Sequence, residues 1–217
     1  VTVPSWRVDV EQECDLIEEV IRVVGYGALP EALPPPFNPT WSEPILARED
    51  RARDILAAAG FVEACSYSFV SAEENASFAS AVSGEAPIIS NALGEPFTTM
   101  RSTPVVGLLR AARHNIRRGL SDLALFEVGR SYALVEGRPV ESRRAVVLLH
   151  GRRGTHWAAE SRPADFYDGS GAVFSLFAGF GAGAPEFRPA SFPFLASGRS
   201  AEVVAGGAPL DRDGFFY

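Results

Sequence analysis

The chain has 217 residues, 47% apolar and 22% charged, with a net charge of −7. This is the balance of an ordinary folded protein and excludes collagen-like, disordered and membrane-spanning classes. Apolar runs such as Ala172 to Phe180 fall far short of the roughly 20 residues that a membrane helix needs. All 20 basic residues are arginine, and whole-chain acidity argues against a general nucleic-acid-binding surface. Two local clusters survive that argument: Arg110, Arg113, Arg117 and Arg118, and Arg143, Arg144, Arg152 and Arg153.

Val3 to Val10 alternates its side chains as a strand does. Asp15 opens a helix to about Val24, with Leu16, Ile17, Val20, Ile21 and Val24 as its apolar stripe and Gly25 as its stop. Pro34-Pro35-Pro36 cannot donate backbone hydrogen bonds and reads as a linker, dividing residues 1–36 from 37–217. Ile45 to Ala59 is a second helix, ended by Gly60. Phe61 to Phe69 reads as a strand rich in aromatics, Glu73 to Ala81 as a short helix and Ala86 to Ser90 as a short strand. Pro104 to Arg117 is a helix with proline in its first turn and Val105, Leu108, Leu109, Ala112 and Ile116 as its stripe. Strands over Leu123 to Leu134 and Arg144 to His150 flank a hairpin-type turn at Glu136-Gly137-Arg138-Pro139. A helix over Ser170 to Phe180 follows. Phe187, Ser200 to Ala205, and Gly214 to Tyr217 suggest more sheet. Loose alternation with hairpin-like links predicts an α+β domain on an antiparallel sheet. Both ends fall inside extended stretches, which reads as a fragment of a larger protein.

Cys14 and Cys65 belong to no CxxC pair and have no histidine at ligand spacing. They read as small buried hydrophobes in a reducing compartment, the cytoplasm by default. His114, His150 and His156 are scattered, with no HExxH motif and no nucleophile elbow. Gly179-Phe180-Gly181-Ala182-Gly183-Ala184 matches G-x-G-x-x-A. It follows a helix rather than a strand, so it reads as a helix-ending loop.

Asp9, Asp15, Glu18 and Glu19 form the densest carboxylate group. The last three share one helical face, and hard oxygens at that density suit Mg²⁺. An acidic helix start, with Asp15 as cap and Glu18 closing a capping box, explains them equally, and spacing alone favours it. Met100-Arg101-Ser102-Thr103 reads as an N-capping sequence that also presents a cation. The arginines from Arg110 to Arg118 lie mostly on one helical face. They could touch RNA or ATP phosphates, or simply form a solvated face, the reading that the chain's acidity favours.

Several ordered segments together carry a resemblance. Pro4-Ser5-Trp6-Arg7-Val8-Asp9 comes first, followed by Asp15-Leu16-Ile17-Glu18-Glu19-Val20-Ile21-Arg22-Val23-Val24-Gly25-Tyr26. Met100-Arg101-Ser102-Thr103 with Gly107-Leu108-Leu109 and Leu123-Ala124-Leu125-Phe126-Glu127-Val128-Gly129-Arg130 continue it. Phe166-Tyr167-Asp168 and Gly198-Arg199-Ser200-Ala201-Glu202 extend it towards the end. In this order they resemble the β subunit of bacterial phenylalanyl-tRNA synthetases, from the end of the B5 domain into the B6–B7 module.

The resemblance implies a fold like that of a class II aminoacyl-tRNA synthetase: an antiparallel sheet flanked by helices, preceded by a remnant of a small α+β domain. It implies a catalytic-like module truncated at its C-terminus. That module would support ATP-dependent attachment of phenylalanine to tRNA(Phe) by scaffolding the α subunit in an α₂β₂ assembly. It places the family's Mg²⁺ ligands on Asp9, Asp15, Glu18 and Glu19, in the complete enzyme. No catalytic or cofactor-binding residue and no membrane contact is expected of the chain itself. Phe126-Glu127-Val128-Gly129 agrees with non-catalysis, because it sets a carboxylate where a phosphate-gripping cation would be wanted. Two alternatives stay open: a free-standing class II-like ligase using the Arg101 region for ATP, and a tRNA-binding module using the Arg110–Arg118 face.

Overall fold

The computed structural model describes residues 1–33, 44–78, 84–92, 94–154, 157–158, 160–206, 208–209 and 215–216. It divides the chain into two compact units, Val1–Ser42 and Glu43–Tyr217. The proline linker at Pro34 to Pro36 lies outside the described residues, as does His156.

The first unit is built on helix α1 (Glu13–Val24) and a short 3₁₀ turn, Tyr26–Ala28. The helix begins two residues before the predicted Asp15. Gln12 is its N-cap, and Asp15 at the third helical position accepts from the Gln12 amide at 2.7 Å and the Glu11 amide at 2.8 Å. The reciprocal box therefore closes around Gln12 and Asp15 rather than around Asp15 and Glu18. Gly25, at φ 101°, ends the helix as expected. Val3 to Val10 forms turns, not a strand: Pro4 has no amide to donate, and the Arg7 amide bonds back to the Pro4 carbonyl at 3.0 Å. No residue of α1 is buried within the unit, and Val20, Val23 and Val24 are all exposed.

The second unit begins with α2 (Pro44–Ala58), followed by β1 (Val62–Glu63), β2 (Phe69–Val70) and α3 (Ala72–Ala76). Next come β3 (Thr99–Met100), α4 (Val105–Ile116), β4 (Leu123–Val135) and β5 (Arg138–His150). Then follow β6 (Arg152–Arg153), β7 (Arg162–Pro163), α5 (Phe166–Gly179), β8 (Glu186–Pro189), β9 (Ala201–Ala205), β10 (Ala208–Pro209) and β11 (Phe215–Phe216).

The fold is α+β, but its sheet is not the single antiparallel one expected. The described strands fall into sheets of three (β1-β4-β5) and four (β8 to β11), plus the pairs β2-β3 and β6-β7. In the central sheet β1 runs parallel to β4, while β4 and β5 form a long antiparallel hairpin. Its two-residue turn, Glu136-Gly137, has φ 52° and 74°, the left-handed pair that matches strand twist. That tight turn lets Arg138 and Pro139 join β5, paired with Val135 and Leu134, so the strand begins six residues before the predicted Arg144. Phe61 to Phe69 is broken into two short strands. Ala86 to Ser90 contributes only an isolated bridge at Ile88. Helix α5 starts at Phe166 rather than Ser170, because Asp165 caps it: the Asp165 side chain accepts from the Tyr167 and Asp168 amides.

Strand β4 is covered on both faces. Alternate residues point to opposite sides. Ala124, Phe126 and Val128 pack with Leu56 and Ala59 of the α2 end, Phe61, and Ala172 and Leu176 of α5. Phe126 is fully buried there, and burial of such a ring stabilises the fold by roughly 1.5–3 kcal/mol. Glu127, Gly129 and Ser131 face the other way, towards α4 and the Arg101 segment. Both cysteines are exposed, against the prediction of buried thiols: Cys14 lies on the open first turn of α1, and Cys65 in the irregular stretch after β1.

Candidate functional site

In the first unit, the carboxylates singled out from the sequence are organised by an arginine. Arg7 Nε donates to Asp9 Oδ1 at 3.0 Å and Arg7 Nη2 to Asp9 Oδ2 and to Glu19 Oε1, each at 2.7 Å. Arg22 Nη2 donates to the other Glu19 oxygen at 2.7 Å. The Arg7 guanidinium holds Asp9 below the ordinary carboxylate range, and Arg7 followed by Arg22 does the same for Glu19. Asp15 is lowered chiefly by the Gln12 amide, then by that of Glu11. Glu18 is exposed on α1.

Four hard carboxylates suit Mg²⁺ in donor chemistry. Their arrangement does not. Among the described residues no three acidic, histidine or cysteine side chains gather as a metal-binding group. A cation, the Arg7 guanidinium, already sits between Asp9 and Glu19, and Asp15 is occupied in capping the helix.

In the second unit, the predicted cation Arg101 is not presented to solvent. It is 2% exposed and lies at the centre of a buried polar cluster. Its Nη1 donates to Glu127 Oε1 at 2.6 Å and to Ser66 Oγ at 2.8 Å, and its Nε donates to the Arg130 carbonyl at 2.8 Å. Ser66 Oγ in turn donates to Glu127 Oε2 at 2.6 Å. Two glycines make room for the cluster: a Cβ at Gly107 of α4 would collide with the Ser66 side chain, and one at Gly129 would lie 2.5 Å from an Arg101 nitrogen. Asn75 of α3 fixes the segment from the other side, donating to the Met100 carbonyl at 3.0 Å and accepting from the Ser102 amide at 2.9 Å. Arg101 to Thr103 are buried, and Thr103 Oγ1 accepts from the Val105 amide at 3.3 Å, so the segment braces the cluster and also caps the first turn of α4, as its sequence suggested. The Pro104 side chain adds no hydrogen bond.

Sequence reasoning noticed Arg101 and Glu127 separately and missed their pairing, together with Ser66 and Asn75. The only local signal was two glycines, Gly107 and Gly129, at positions where a helix and a strand ordinarily carry side chains.

The two arginine clusters part company. Arg143 pairs with Glu49 at 2.6 Å, Arg152 bonds Ser161, and Arg153 lies over the Phe61 ring at 5.4 Å, so much of the second cluster ties elements of the unit together. The first cluster lines an open depression along the outer side of α4. Gly179 ends α5 and Gly181, at φ 67°, follows it, confirming the helix-ending loop. His150 bonds the Ser121 carbonyl at 2.8 Å.

Comparison with known proteins accounts for both units. A model of the tRNA synthetase B5 domain matches residues 1–26, and one of the phenylalanyl-tRNA synthetase beta chain CLM domain matches residues 29–214. The phenylalanine–tRNA ligase beta subunit of Anaeromyxobacter dehalogenans is 39% identical over 187 residues, covering 82% of this chain and 23% of that protein. That of Geobacillus kaustophilus is 36% identical over 212 residues, covering 94% and 26%. The chain thus spans about a quarter of the length of these curated relatives.

Among solved structures, the pyrrolysyl-tRNA synthetase PylSc of Desulfitobacterium hafniense superposes with a TM-score of 0.56 at 15% identity, over 76% of this chain and 54% of that one. A histidine–tRNA ligase subunit of Alicyclobacillus acidocaldarius gives 0.51 at 17%, over 73% and 45%. These two show a shared aminoacyl-tRNA synthetase fold. With the family models covering nearly every residue in the order the sequence motifs foretold, the chain belongs to the phenylalanyl-tRNA synthetase beta-chain family.

Proposed function

We propose that this chain is a non-catalytic core part of a phenylalanyl-tRNA synthetase β subunit. It supports the ATP-dependent charging of tRNA(Phe) by scaffolding the α subunit, in the cytoplasm. One observation carries the reading. Synthetase chemistry needs cations poised over ATP phosphates. Arg101, the cation the sequence offers for that task, is enclosed and held by Glu127, Ser66 and the Arg130 carbonyl. An arginine tied in this way at 2% exposure is not presented to a ligand, and releasing it would strand a buried carboxylate. The same observation speaks against a free-standing ligase using the Arg101 region.

The test is phenylalanine-dependent ATP–pyrophosphate exchange by the purified chain. No exchange above background is expected, and robust exchange would overturn the reading. Co-elution with the cognate α subunit is expected if the second unit carries the scaffolding surface.

Mg²⁺ at Asp9, Asp15, Glu18 and Glu19 is proposed only for the complete enzyme. Arg7, which pairs with both Asp9 and Glu19, competes with the ion for these two carboxylates. No described helix is long and apolar enough to cross a membrane.

A further inference from the structure

In the first unit, Asp9 precedes α1 and Glu19 lies within it, and one side chain joins them. Arg7 turns its side edge to Asp9, with Nε at 3.0 Å from Oδ1 and Nη2 at 2.7 Å from Oδ2. The same Nη2 donates to Glu19 Oε1 at 2.7 Å. Arg22 takes the remaining Glu19 oxygen, with Nη2 at 2.7 Å and Nε at 3.3 Å. Asp9, Arg7, Glu19 and Arg22 thus form a row of alternating charge, in which every oxygen of the two carboxylates accepts from a guanidinium.

An isolated surface ion pair is weak, because water competes for both charges and two long side chains must be held still. Bidentate geometry and a network of charges are the exceptions, and both are present here. The centre of the row is also its better shielded part: the Arg7 and Glu19 side chains are 34% and 31% exposed, against 62% for Asp9. The other two carboxylates are placed differently. Asp15 accepts the Glu11 and Gln12 amides, and Glu18 is exposed on α1. Mg²⁺ demands a near-octahedral oxygen shell, and among the described residues no three acidic, histidine or cysteine side chains gather to supply part of one.

We infer that Arg7 is the resident cation of this carboxylate group: it stands between Asp9 and Glu19 where a divalent ion would stand, and so ties the Pro4–Asp9 turn to α1. A guanidinium can do both at once. Its planar fork meets one carboxylate edge-on with two N–H groups, and the second hydrogen of Nη2 is left for another oxygen. Lysine, a point charge without the fork, cannot reproduce the edge-on contact. The backbone converges on the same residue. The Arg7 amide donates to the Pro4 carbonyl at 3.0 Å, and the Arg7 carbonyl accepts from the Val10 amide at 3.5 Å. With Arg7 and Asp9 held to the helix, Trp6 and Val8 stay outward, at 78% and 79% exposure. Arg7 is therefore a positioning residue. The inference bears on the same carboxylates as the Mg²⁺ proposed for the complete enzyme, and it depends neither on that proposal nor on the scaffold role.

The test is NMR of the arginine Nε–H groups in the full 217-residue chain. The Arg7 signal is identified by its loss in Arg7→Lys. It is expected to stand apart from the signals of solvent-exposed arginines and to exchange with water about two- to fivefold more slowly, the factor that a surface ion pair supports. In Asp9→Asn/Glu19→Gln it should move to the exposed position, and millimolar Mg²⁺ should leave it in place in the parent chain. The Val10 amide should exchange faster by a similar factor in both Arg7→Lys and Arg7→Gln, while the amide spectrum of the second unit, unchanged, verifies that the variants fold. Three results overturn the inference: an Arg7 signal that coincides with those of exposed arginines, displacement of that signal by millimolar Mg²⁺, or Val10 exchange unaltered in Arg7→Gln. Calorimetry with Mg²⁺ reads the ion and this spectrum reads the arginine, so failure of one reading is told apart from failure of the other.

Discussion

Arg101 Nη1 meets Glu127 Oε1 at 2.6 Å, with the two side chains 3% and 5% exposed, an ion pair enclosed between β4 and the segment leading into α4. Ser66 bridges both members, and the Arg130 carbonyl takes the arginine Nε. Removing one member of a buried pair leaves the other charge without compensation, which costs about 3–5 kcal/mol. Arg101→Met is expected to destabilise the chain by that amount in urea unfolding. The double variant Arg101→Met/Glu127→Leu should recover part of the loss, because two apolar groups strand no charge. A loss below about 1 kcal/mol for the single variant would show that water reaches the site.

Gly107 offers a steric test. Glycine to alanine inside a helix ordinarily gains about 1 kcal/mol. Here the new Cβ would strike Ser66 Oγ and lie 2.5 Å from Ser66 Cβ, so a flexible tip cannot simply swing away. Gly107→Ala is expected to destabilise by about 1–3 kcal/mol, the usual cost of overpacking. Adding Ser66→Gly should relieve the collision. Alanine alone proving stabilising would refute the packing described.

Asn75 is 3% exposed and bonds the backbone on both sides of Arg101. Asn75→Leu would leave the Met100 carbonyl and the Ser102 amide unpaired in a buried place, at about 1–3 kcal/mol each. A fall in chemical-denaturation midpoint with unchanged slope is expected. Faster hydrogen exchange at the Ser102 amide would localise the effect.

Several carboxylates are held below their ordinary range: Asp9 and Glu19 by Arg7, Asp15 by the Gln12 and Glu11 amides, Glu74 by Arg110 and Asp168 by Arg162. Each binds fewer protons folded than unfolded, so stability rises with pH between the folded and unfolded values. Their contribution is complete above the unfolded value of about 4 and is lost as pH falls through the folded values. Melting temperature is expected to decline progressively below about pH 4. Glu74→Gln should make the decline shallower. A melting temperature that holds steady down to pH 3 would contradict this account.

Arg7 makes the metal proposal testable without an activity assay. Arg7→Ala frees the carboxylates of Asp9 and Glu19 from their shared cation. Calorimetric titration with Mg²⁺ is expected to show tighter uptake in the variant than in the parent chain. Equal, negligible heats in both would show that Arg7 is not what keeps the ion from the isolated chain.

The sequence by itself determined the helices α1, α2 and α4 to within a few residues, the long hairpin, and the glycine stops at Gly25 and Gly60. It also determined the family, through ordered motifs that the comparisons matched. These are local properties: a 3.6-residue period, a two-residue turn and a left-handed glycine each write themselves into a few neighbouring letters. Only the tertiary structure decided what the charged residues do. Arg101 is 26 positions from Glu127, and Ser66 is 61, so nothing in either neighbourhood announces their meeting. Arg7 reaches Glu19 from 12 positions away, so two of the four candidate ligands, Asp9 and Glu19, share an arginine. Burial decided the rest. The same residue type is an enclosed brace at Arg101, where two glycines open space beside β4, and a solvent-facing cation at Arg113, where the helix turns its outer face to water.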